Sequence, residues 1–77
     1  MRIEIHYCEE WDYKFDTISL AEELRDNFKV EAALVTGLFG IFDIIADGKV
    51  VFSKYETGRL PNYGEISRKL KALDNSS

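Results

Sequence analysis

Asp47-Gly48 lies between two apolar runs, Ile41 to Ala46 and Lys49 to Lys54, and this arrangement constrains the fold more than any other stretch of the chain. A two-residue connection of this kind needs positive φ, which Asp and Gly tolerate, so the runs read as an antiparallel hairpin. Upstream, Ile3, Ile5 and Tyr7 alternate with Arg2, Glu4 and His6, the pattern of a strand with one wet face. A helix is predicted over residues 13–28: Trp11, Phe15, Ile18, Ala21, Leu24 and Phe28 recur at spacings of three and four, with Glu22, Glu23, Arg25 and Asp26 on the other side. Asp12 is its expected cap. Val30 to Val35 reads as a second strand. Strand, helix and strand form a βαβ unit, which makes these two strands parallel.

Gly58-Arg59-Leu60-Pro61 is a loop, and Asn62 and Glu65 have the spacing of a capping box. Ile66, Leu70 and Leu73 then line one face of a closing helix. The predicted order is β-α-β-β-β-α, an α/β fold of the minimal thioredoxin-like kind: a mixed four-stranded sheet with two helices. At 77 residues there is room for one domain, read as 1–73, with 74–77 a disordered tail. If both helices cover one face of the sheet, the hairpin's second apolar face is left for a partner, a homodimer included.

Fourteen acidic against ten basic residues give a net charge of −4, which disfavours binding to nucleic acid and to anionic membranes. No apolar run approaches a membrane span, and the N-terminus does not read as a signal peptide. A single cysteine forbids an internal disulfide and fits a cytoplasmic location. Glu4, His6 and Cys8 share one strand face but have no second cluster to complete a metal site. Gly37 and Gly40 lack the Lys-Ser/Thr of a phosphate loop.

Ile5-His6-Tyr7-Cys8 at the end of the first strand, Gly40-Ile41-Phe42-Asp43-Ile44 with Asp47-Gly48 and Phe52-Ser53-Lys54, and Gly58-Arg59-Leu60-Pro61 before Glu65-Ile66 follow one another in order. Together these segments resemble the selenoprotein W-like (Rdx) family over nearly the whole chain. The resemblance implies a thioredoxin-like fold and a thiol redox role, with glutathione or a thioredoxin-type thiol as partner and no resident cofactor. The family carries Cys-x-x-Cys or Cys-x-x-selenocysteine after the first strand. Its first cysteine falls on Cys8 and its second on Trp11, so two-thiol exchange within this chain is not available.

Two readings of Cys8 follow. As a reactive single thiol before a helix, it would form mixed disulfides with glutathione or a protein thiol, glutathione serving as co-substrate. As a buried remnant it would pack as a small apolar group, and the neighbouring Glu9, Glu10 and Asp12 favour this. Trp11 reads either as a contact surface or as part of the helix stripe. By position in such a fold, Thr36, Gly37, Leu38 and Phe39 border Cys8 and would touch a substrate or partner, or else form a simple turn. Arg59 is expected at the surface, paired with an acidic neighbour. The functional alternatives are therefore monothiol exchange at Cys8 and a non-catalytic protein-interaction domain on the same scaffold.

Overall fold

The computed structural model describes residues 1–9, 13–37 and 40–75, with side chains through Leu73. Its elements are β1 (Ile3–Tyr7), α1 (Lys14–Phe28), β2 (Ala33–Thr36), β3 (Phe42–Ala46), β4 (Lys49–Ser53), α2 (Lys54–Thr57) and α3 (Glu65–Asn75). The strands form one mixed sheet of order β2-β1-β3-β4, with β1 parallel to β2 and antiparallel to β3. The βαβ unit and the hairpin stand as the sequence predicts. The hairpin turn has φ 50° at Asp47 and 82° at Gly48, the doubly positive pair this connection requires. Asp47 also ties down the N-terminus: Arg2 N–H donates to its Oδ1, and its own N–H donates to Arg2 O, each at 2.8 Å.

Ile3, Ile5, Phe42, Ile44 and Ala46 point to one face and pack with Phe52 from β4, Leu20 and Leu24 from α1, and Ile66 and Leu70 from α3. Glu4, His6, Asp43 and Ile45 alternate onto the opposite face, as period-2 geometry demands. Register slips between Ile44–Phe52 and Ile45–Val50, leaving Val51 as a β-bulge that packs partly against the core. This bulge is why Val50, Val51 and Phe52 are consecutive apolar residues instead of an alternating set.

Four local features differ from the sequence reading. β2 begins at Ala33, not Val30, because α1 ends through a left-handed Lys29 (φ 57°) and pairing with β1 starts at Glu4–Ala33. A third helix, the single turn α2, replaces the expected end of the hairpin strand at Lys54. α3 continues through Asn75, past the expected tail boundary at 74.

The fourth difference is the face that α1 buries. Phe15 is 78% exposed and Ile18 39%, whereas Thr17 is 1% exposed and Leu20 and Leu24 are buried. Thr17, Leu20 and Leu24 form the buried stripe, with Tyr13, Ala21 and Phe28 partly buried against the core, so Ala21, Leu24 and Phe28 keep their predicted side while Phe15 and Ile18 do not. Thr17 can be buried because its hydroxyl donates to Tyr13 O at 2.8 Å. Tyr13 is the N-cap residue and makes no side-chain cap bond, while the predicted cap Asp12 lies outside the described residues.

Glu23, read from the sequence as solvent-facing, is 7% exposed. Its Oε1 accepts from Gly64 N–H at 3.2 Å and its Oε2 from the Ser67 hydroxyl. A carboxylate from α1 thus closes the N-terminus of α3, where unpaired N–H groups and the helix dipole favour negative charge. Among the described residues no helix is long and apolar enough to cross a membrane.

Candidate functional site at the end of β1

Cys8 follows β1 directly and is 2% exposed. Its N–H donates to Ile41 O at 2.9 Å, and Gly37 N–H donates to Tyr7 O at 2.9 Å. Beyond the pairs Tyr7–Thr36 and Tyr7–Phe42, Cys8 is thus bonded to the residue that precedes β3, and Gly37 to the last residue of β1. A Cβ on Gly37 would stand 2.8 Å from Ile41 Cγ2. Ile41, four residues further along the chain, occupies the space Gly37 leaves. Gly37 is thus needed for a close approach, not for its backbone angles.

The structure brings Cys8, Thr36 and Gly37 to one end of the sheet, as the topology implies. Thr36 pairs with Tyr7 and is exposed. Trp11, Leu38 and Phe39 lie outside the described residues. The burial of Cys8 departs from the exposed sulfur that a freely reacting monothiol would show. Cys8 is a free cysteine and the chain's only one. Ile41, which the sequence reading assigned only to the hairpin, is the unforeseen member of the site. The signal that could have found it is a glycine just after one strand with a β-branched residue four positions on, just before the next.

Tyr13 lies edge-on to Phe42, with ring centroids 5.9 Å apart and planes at 83°. Lys54 Nζ stands 5.9 Å from the Tyr13 centroid. On the open face, His6 Nε2 and Glu4 Oε1 are 3.0 Å apart, and both side chains are about a quarter exposed, at 26% and 27%. Among the described residues no three His, Cys, Asp or Glu side chains gather as metal ligands.

The strongest electrostatic arrangement lies in the loop before α3. Arg59 donates to Glu65 with both terminal nitrogens, at 2.8 and 3.0 Å, and Asn62 N–H donates to Glu65 Oε1 at 2.9 Å. The guanidinium first, and the Asn62 N–H second, hold the Glu65 carboxyl at about 2, below its ordinary 4.5. The same pairing raises Arg59. This is the acidic partner expected for Arg59 and the returning half of the Asn62–Glu65 capping box.

A mixed sheet of order β2-β1-β3-β4, helices on one face and a thiol at the β1–α1 junction define a thioredoxin-like domain. The chain matches the Rdx family over residues 2–72 and belongs to that family, whose members are thioredoxin-like and redox-related. Two crystal structures share its fold. A selenoprotein W-related protein from Vibrio cholerae aligns with TM-score 0.87 and 25% identity over 94% of each chain. A protein from Bordetella parapertussis aligns with TM-score 0.87 and 27% identity, over 94% of this chain and 95% of that one. Migration and invasion enhancer 1 of Bos taurus is 28% identical over 76 residues. That match covers 97% of this chain and 66% of the relative, so the chain spans just under two thirds of that relative's length.

Proposed function

We propose that this chain is a thiol redox protein acting through Cys8 alone, by exchange with glutathione or a protein thiol. The observation that carries the reading is the position of its one thiol, at the end of β1 beside Gly37 and Ile41. In the forward step the Cys8 sulfur attacks one sulfur of glutathione disulfide. The disulfide bond breaks, Cys8 gains a mixed disulfide and one glutathione thiolate leaves. A protein thiolate then attacks the glutathione sulfur of the adduct, which returns Cys8 reduced and leaves that protein in mixed disulfide with glutathione. With Cys8 2% exposed, exchange proceeds from a conformation that opens the end of β1. The test is intact-mass analysis of the folded chain with glutathione disulfide. One adduct on the wild type, none on Cys8→Ala, and reversal by reduced glutathione support the proposal. Modification only under unfolding conditions would overturn it.

The burial of Cys8 favours a second reading, a non-catalytic interaction domain on the same scaffold. In that case Cys8→Ala leaves partner binding unchanged, and an adduct never forms on the folded chain.

A further inference from the structure

At the opposite end of the sheet from Cys8, the start of β4 and the last turns of α3 enclose about 420 Å³ of open space. Its walls are Val50, Val51, Ala72 and Leu73, with Lys49 and Lys69 at the margins. Val50 is 56% exposed and Leu73 47%, so apolar surface faces water here. The chain carries a net charge of −4, yet among the described residues the only charged groups lining this groove are the two lysines. Glu65, one turn before Lys69, is already held by both terminal nitrogens of Arg59.

We infer that this groove docks an acidic amphipathic helix of a partner protein, whose apolar side chains lie on Val50 and Leu73 and whose carboxylates meet Lys49 and Lys69. Charge complementarity selects an acidic occupant, and the apolar walls between the two cations call for an apolar stripe flanked by carboxylates. β4 is an edge strand, but the bulge at Val51 breaks the regular row of backbone groups that an added strand would need. Recognition through side chains, by a helix in a groove, follows from that. The space is more open than enclosed, which suits a segment of chain better than a small molecule that a closed pocket would hold.

This inference stands apart from the chemistry assigned to Cys8. Its test titrates the full ¹⁵N-labelled chain with a fluorescein-labelled synthetic helix bearing leucines along one face and glutamates beside them. Backbone shifts are expected at 49–51 and 69–73. Lys49→Glu and Lys69→Glu should each weaken binding about fivefold, the scale of a partly exposed ion pair made repulsive. The same peptide with lysine in place of glutamate should not bind, and Cys8→Ala should bind as the wild type does. Shifts centred elsewhere, equal binding of the lysine peptide, indifference to both charge reversals, or loss of binding in Cys8→Ala would each overturn the proposal. So would sedimentation showing that a second copy of the chain already fills the groove.

Discussion

The side chain of Ile41 occupies the space where Gly37 would carry a Cβ, 2.8 Å from Ile41 Cγ2, and the Ile41 carbonyl accepts from Cys8 N–H. Cγ2 is attached directly to Cβ, so it can yield only if χ1 leaves its preferred well or the backbone shifts.

Gly37→Ala is therefore expected to displace Ile41 and uncover Cys8. Overpacking of this kind costs about 1–3 kcal/mol. Alkylation of Cys8 by iodoacetamide should accelerate in the folded variant relative to wild type. An unchanged rate with unchanged stability would show that Ile41 does not cover the thiol.

Cys8 itself is buried, and its replacement should discriminate by polarity. Serine brings a hydroxyl into a site that is 2% exposed, at a cost of about 1–3 kcal/mol if it finds no partner. Cys8→Ala should be less destabilised than Cys8→Ser in urea unfolding. The alanine variant is for that reason the better control for redox assays.

Glu23 joins α1 to α3 through Gly64 N–H and the Ser67 hydroxyl. Glu23→Ala leaves those donors without their acceptor at a helix N-terminus, and a loss of about 2 kcal/mol is expected. Amide exchange at Gly64 should accelerate in the same variant. Retention of wild-type protection there would mean that water or another acceptor replaces the carboxylate.

Acid sensitivity follows from Glu65, whose carboxyl is lowered from 4.5 to about 2 in the fold. A depressed folded value contributes stability that is present above the unfolded value and is lost as pH falls through the folded one. The stability difference between wild type and Arg59→Met should thus be full near neutrality and narrow as pH falls from about 5 to about 2. Carboxyl-carbon NMR titration of Glu65 should show its midpoint rising in the variant. A gap that stays constant across that range would show that Arg59 acts through packing over Phe52, whose ring centre lies 5.8 Å from the guanidinium carbon.

The parts of the fold that were legible are those set by short-range chemistry. Asp47-Gly48 announced the hairpin because few residue pairs tolerate two positive φ values. The spacing of Asn62 and Glu65 announced the loop before α3 for a similar local reason. The face of α1 was not legible, because Phe15 and Ile18 outrank Thr17 in hydrophobicity and only the bond from Thr17 to Tyr13 O reverses the choice. Glu23 was hidden for a different reason: its partners lie 41 and 44 residues away. Of the site, Cys8 and its neighbours at the ends of the strands followed from topology and from the resemblance to the family. The fit between Gly37 and Ile41 did not, since a single close contact leaves no periodic trace.

β1 runs from the hairpin turn toward Cys8, and β3 returns from Ile41 to that turn. The thiol and the lysine-flanked groove therefore sit at opposite ends of the same strands, roughly 17 Å apart for five residues at about 3.3 Å each. Occupants of the two ends do not compete for space. A protein seated on the groove would leave the thiol end unobstructed, so the two proposals can be tested independently on one chain.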